Sequence, residues 1–206
     1  MNLSNTPWIL HWIANRNSGG TGEPPTPTKF APPDNFISFY CANNSEFDYW
    51  VYQIDFSNIR NFESMFQSLG EEITYVDIEL ISMMATNMKN CFFGSNYIDT
   101  VVLPEDIDTS GCANFGGCFQ NCYKLERIIN LDKIDFSSAT NLHYFVKNCT
   151  NLYDETLAVL CDKLQSATEL QTKTLNDIGL TNSQATKCTA FPIWSTLVNL
   201  GWTTGY

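Results

Sequence analysis

The chain has 206 residues, 44% hydrophobic and 14% aromatic, which excludes global disorder and leaves room for one compact body of about 170 residues with an extension. A formal charge of −11, with 11 basic residues against 22 acidic ones, argues against nucleic acid as a partner, since nothing here could neutralise a phosphate backbone, and argues equally against an anionic membrane surface. The acids are scattered rather than run together, the pattern of a solubilising surface.

Within the first segment, residues 1–16, an amphipathic helix is predicted from residue 6. Thr6 serves as N-cap and Pro7 occupies the first position, with Trp8, Ile9, Trp12 and Ile13 on one face. This start lacks a basic n-region and His11 interrupts its apolar stretch, so it is a poor secretory signal. No stretch reaches the ~18 apolar residues that a membrane span needs. Residues 17–33 are glycine-rich and then proline-rich, a tether with a flexible half and a stiff half. A tryptophan-bearing helix on such a tether is expected to anchor in something larger. Its alternative is to fold back over the first unit of the domain that follows.

From residue 34 the pattern turns to strands. An alternating run at 36–41, the turn signal Asn43-Asn44-Ser45 and a second apolar run to Ile54 predict a hairpin. A signature then returns four times: Asn61-Phe62-x-x-Met65-Phe66, Asn87-Met88-x-x-Cys91-Phe92, Asn114-Phe115-x-x-Cys118-Phe119 and Asn141-Leu142-x-x-Phe145-Val146. Its steps are 26, 27 and 27 residues. Asn121-Cys122-x-x-Leu125 and Asn148-Cys149-x-x-Leu152 share the period. Such self-similarity predicts an α/β solenoid of about four repeats, each burying its apolar face against its neighbours.

Ile73-x-x-Val76-x-Ile78, Ile98-x-x-Val101-x-Leu103 and Leu125-x-x-Ile128 read as one short strand per repeat. In that frame Tyr75, Asp77, Thr100, Val102, Arg127 and Ile129 face outward along a strand ribbon and are the candidate binding residues. The asparagine signature forms the helical or turn side of each coil. Ile54-Asp55-Phe56-Ser57, Ile107-Asp108-Thr109-Ser110 and Ile134-Asp135-Phe136-Ser137 recur between them, with Asp and Ser capping the turn.

Four of the eight cysteines fall in repeat slots, Cys91 with Cys118 and Cys122 with Cys149, which favours buried structural thiols over a disulfide or a metal site. Cys41, Cys161 and Cys188 lie outside these slots. After Leu152 the period fades, and residues 153–206 read as a helical cap. Helices are predicted over 154–164, with Leu157, Leu160, Cys161 and Leu164 on one face, and over 181–200, interrupted by Pro192. Trp202 is expected to close the cap.

The repeat resembles the BspA-like leucine-rich repeats of bacterial surface proteins. The matching marks are Ile107-Asp108-Thr109-Ser110, Asn114-Phe115 with Cys118-Phe119, and Asn121-Cys122 with Leu125, over roughly residues 50–152. The ending Gly201-Trp202-Thr203-Thr204-Gly205-Tyr206 is similar to the capping ends of such repeats in phage and prophage structural proteins. The resemblance implies a short leucine-rich-repeat solenoid over 34–152 that recognises or adheres and needs no cofactor. It implies a virion protein (fibre, tail or capsid decoration) held in the particle through residues 1–16. The repeat face would bind a host-surface glycan or protein, and self-association into a homo-oligomer is also open. The alternatives are a purely structural assembly module and a bacterial cell-surface adhesin.

Catalytic arrangements are weak. Cys118 or Cys149 with His143 could be drawn as nucleophile and base, but no third group orients them and the period buries both thiols. Glu71-Glu72, Glu105-Asp106-Asp108 and Asp154-Glu155 could hold calcium or act as paired acids, yet each adjoins turn residues where solvated acids are common.

Overall fold

The structure, a computed structural model, describes residue 51 and residues 54–206. The anchor helix with Trp8, Ile9, Trp12 and Ile13, the tether and nearly all of the leading hairpin lie outside the described residues.

Each asparagine signature folds as turns rather than a helix. Three and seven places after the asparagine the backbone is left-handed: at Ser64 and Ser68, Asn90 and Gly94, Gly117 and Asn121, Tyr144 and Asn148, with φ from 54° to 70°. A right-handed helix cannot pass through such residues. The leading asparagine sets the turns in motion. Oδ1 of Asn61, Asn87, Asn114 and Asn141 each accepts the N–H two residues on, at 2.9–3.1 Å.

Alternate N–H groups then point out of the unit. Those of Phe62, Ser64, Phe66 and Ser68 donate to the carbonyls of Asn87, Lys89, Cys91 and Phe93. The same four bonds run from Met88, Asn90, Phe92 and Gly94 to the third unit, and from Phe115, Gly117, Phe119 and Asn121 to the fourth, all at 2.7–3.0 Å. The leading asparagines themselves pair in parallel, 61 with 87, 87 with 114 and 114 with 141.

On the opposite side lies a three-stranded parallel sheet in the order β1 (Tyr75–Asp77), β2 (Thr100–Val102), β3 (Arg127–Ile129). Its register aligns Tyr75 with Thr100 and Arg127, and Asp77 with Val102 and Ile129. The central residues Val76, Val101 and Ile128 point into the core.

Between the two ladders the core is filled slot by slot. Phe66, Phe92 and Phe119 stack at centroid distances of 5.2 and 5.0 Å. In the fourth unit that slot holds Val146, and the preceding Phe145 turns its ring edge-on to Phe119 at 5.4 Å. A second interior slot, already legible as Cys122 and Cys149, has a third member in Ser95. Cys122 and Cys149 donate through Sγ to the carbonyls of Phe92 and Phe119, and Ser95 Oγ donates to that of Phe66 at 2.8 Å.

The cap begins with α1 (Asp154–Leu164), which buries Leu157, Leu160, Cys161 and Leu164, the face read from the sequence. Its long partner is two helices, α2 (Asn182–Thr189) and α3 (Trp194–Asn199). Pro192 between them has no N–H to continue the first. Thr181 and Gln184 form a capping box at the start of α2, and Trp202 is buried beyond α3.

The stack runs on past the point where the sequence period ends. Tyr144 and Val146 donate to the carbonyls of Asp177 and Ile178 at 2.8 and 3.0 Å, and Leu175 and Asn176 donate to Thr203 and Thr204 at 3.0 Å. Residues 174–178 thus extend the ladder in part, receiving two of the fourth unit's N–H groups without carrying the signature. Gly179 makes the approach feasible: its φ is +98°, and a Cβ there would lie 2.5 Å from Lys147 Cα and backbone N.

Gly179→Ala is expected to cost at least about 2 kcal/mol, since backbone must move as well as twist. Gly201→Ala, where φ is +89° and a Cβ meets nothing within 4 Å, should cost only the conformational strain of about 1 kcal/mol. Urea melts of the two variants check the order. Equal losses would mean that the close contact at Lys147 does not hold the cap.

Candidate functional site

The strand ribbon is the face that the sequence nominated, and its two ends differ from its middle. On β1, Tyr75 is 42% exposed, and Asp77 is half-buried, with Oδ1 accepting the Glu79 N–H at 3.0 Å. On β3, Arg127 is exposed and Ile129 is 42% exposed. Thr100 and Val102 on β2 are buried, contrary to the expectation that they face outward to a ligand. Adjacent strands lie only about 4.8 Å apart, so a short side chain between longer in-register neighbours is closed over. Thr100 sits between Tyr75 and Arg127, and Val102 between Asp77 and Ile129. The expected continuous six-residue binding row is therefore two exposed flanks with a closed centre.

One position before the strands runs a second row that the sequence reading did not single out. Asp99 N–H donates to Thr74 O, Glu126 N–H to Asp99 O and Tyr153 N–H to Glu126 O, at 2.7, 2.8 and 3.0 Å. Tyr153, 38% exposed, ends this row. The Arg127 guanidinium lies over its ring, 5.0 Å from the centroid. A hydrogen bond to the Glu126 side chain holds the Tyr153 phenol above its ordinary range. The signal was available: Tyr153 follows Leu152 of the Asn-Cys-x-x-Leu mark and lies 27 residues after Glu126, which lies 27 after Asp99.

Beside Tyr153 an open cleft of about 420 Å³ is lined by Thr150–Glu155 and by Lys187 of α2. Lys187 Nζ pairs with Asp154 Oδ1 at 2.6 Å, tying α2 to the start of α1.

The groups considered for chemistry lie in different places. Cys118 and Cys149 are fully buried, and desolvation holds both thiols well above the ordinary range. His143 is on the surface, its Nδ1 2.8 Å from Asp177 Oδ1 and its ring stacked on Tyr144 at 3.6 Å. Asp108 is engaged by its own turn: hydrogen bonds from the Ser110 hydroxyl and then the Ser110 amide, at 2.7 and 3.0 Å, hold its carboxyl below the usual range. Among the described residues no three His, Cys, Asp or Glu side chains group as metal ligands, and no helix is long and apolar enough to cross a membrane. No known family, no curated protein and no solved structure matches the chain.

Cys91, Cys112, Cys118, Cys122, Cys149, Cys161 and Cys188 are free and buried. Burial pushes the Cys112 thiol up to about 11; the hydrogen bond between Cys161 and Cys188 raises Cys161, as burial does, and lowers Cys188, which nonetheless has no exposed surface. All seven should resist iodoacetamide in the native protein at mildly alkaline pH and react once denaturant is added, as read by peptide mass mapping. Rapid native labelling of any of them would show that its slot opens.

Proposed function

We propose that the chain is a non-enzymatic virion protein, a fibre, tail or capsid decoration, built as a short leucine-rich-repeat solenoid that recognises a host surface. The observation that carries this reading is the exposure of Tyr75, Arg127 and Ile129 on the two strands that pair with β2 in a parallel ribbon. A rigid face with aromatic, cationic and aliphatic side chains meets a partner with little ordering cost. The resemblance of the repeats to surface-protein repeats points the same way, and the helix read over residues 6–16 supplies the attachment to the particle.

The closed centre of the ribbon, Thr100 and Val102, favours a second reading in which the repeats serve particle assembly alone. Variants of the full chain separate the two. Tyr75→Ala with Arg127→Ala should weaken host-cell binding by about tenfold, roughly 1.4 kcal/mol, while Thr100→Val leaves it unchanged. Trp8→Ala with Trp12→Ala should release the protein from particles without touching host binding. Host binding indifferent to the ribbon pair, with particle association lost in the tryptophan pair, would leave only the assembly role.

A further inference from the structure

The cleft at the end of the ribbon has the composition of a saccharide site. Its aromatic member is Tyr153, partly exposed, with the Arg127 guanidinium over its ring. The rest of its accessible lining is hydroxyl, amide and carboxylate from Thr150, Asn151, Asp154 and Glu155, and the Lys187 ammonium. A pyranose presents the complementary pair of surfaces. One is a patch of C–H groups that packs on an aromatic face, and the other is a rim of hydroxyls that both donate and accept hydrogen bonds.

A peptide is disfavoured, because the lining of this cleft offers no apolar pocket to an anchoring side chain, its Leu152 being buried. The sign of the ligand follows from charge. Lys187 pairs with Asp154, and the Arg127 guanidinium over Tyr153 is matched by Glu126 beside the same ring, so Glu155 leaves the group one negative charge in excess, within a chain of net charge −11. An anionic sugar would be repelled on approach and would bury carboxylate against carboxylate.

We propose that this cleft binds a neutral hexose-type glycan, with the Tyr153 ring as its stacking platform and Asn151 and Glu155 meeting its hydroxyls. This deepens the host-recognition reading and rests on it, placing the contact at the cap end of the ribbon rather than at its centre. Arg127 acts as a positioning residue that holds the ring. An open cleft with one platform gives weak single-site affinity, in the millimolar range, which many copies on a particle raise by avidity.

The test uses the purified full chain and four probes: methyl α-mannoside, maltotriose, chitotriose and sialyllactose. Saturation-transfer NMR and calorimetric titration should show binding of at least one neutral probe and none of sialyllactose. Tyr153→Ala should weaken that binding by about tenfold or more, and Tyr153→Phe should restore it. Glu155→Gln, exposed and away from the core, gives a second variant that should lower affinity without a change in melting temperature. Binding of no neutral probe, equal binding of sialyllactose, or affinity indifferent to Tyr153→Ala would each overturn the proposal. Host-cell binding measured in parallel separates the two levels. If cells bind the Tyr153→Ala protein as well as the native one, recognition stands and the glycan cleft falls. If saccharide binds but cells do not, the cleft stands and host recognition falls.

Discussion

Everything in this protein depends on one constraint: the backbone of each unit cannot satisfy its own hydrogen bonds. The left-handed residues at the third and seventh places of every signature turn alternate N–H groups outward, and only the carbonyls of the next unit receive them. Buried N–H groups without partners are costly, on the order of 1–3 kcal/mol each. A unit in isolation would therefore lose several such bonds and expose its phenylalanine and cysteine slots as well. Stacking is the condition of folding rather than a consequence of it.

That constraint explains the residue choices. Asparagine is favoured where a side chain must accept from its own backbone two residues on, and also where φ is positive, as at Asn90, Asn121 and Asn148. Small polarisable or hydroxyl side chains suit the interior slot of Ser95, Cys122 and Cys149, because each must fill space and reach a carbonyl of the preceding unit. Cysteine at these positions is a packing residue with a weak donor. The same constraint explains the cap. Two of the fourth unit's outward N–H groups, those of Tyr144 and Val146, are received by the carbonyls of Asp177 and Ile178.

A rigid stack carries function only where its side chains reach past the ribbon. At the centre they do not, since Thr100 and Val102 are shorter than what flanks them. At the cap end the ribbon meets a helix start, and the chain changes direction from the ladder into α1. That junction creates the cleft and leaves Tyr153 against Arg127 at its lip. Concavity here comes from the join between two kinds of structure, not from the repeat.

The sequence by itself determined the repeat length, the inward residues Val76, Val101 and Ile128, the extent of α1 and the break at Pro192. These follow from spacing and from proline chemistry, which are local. It also marked the asparagine signature, but left helix and turn open there, because a left-handed Ser64 or Tyr144 has no local signal. Only the tertiary structure decided that Thr100 and Val102 are closed over, since exposure in a ribbon depends on the length of side chains about 25 residues away in sequence. Only the fold brought residues 174–178 into the ladder, where hydrogen bonds to a neighbouring backbone do not require a repeated sequence. The cleft at Tyr153 was likewise a decision of the fold: it needs residues 150–155 and Lys187 in one place, and no spacing rule joins a repeat to the helices that cap it.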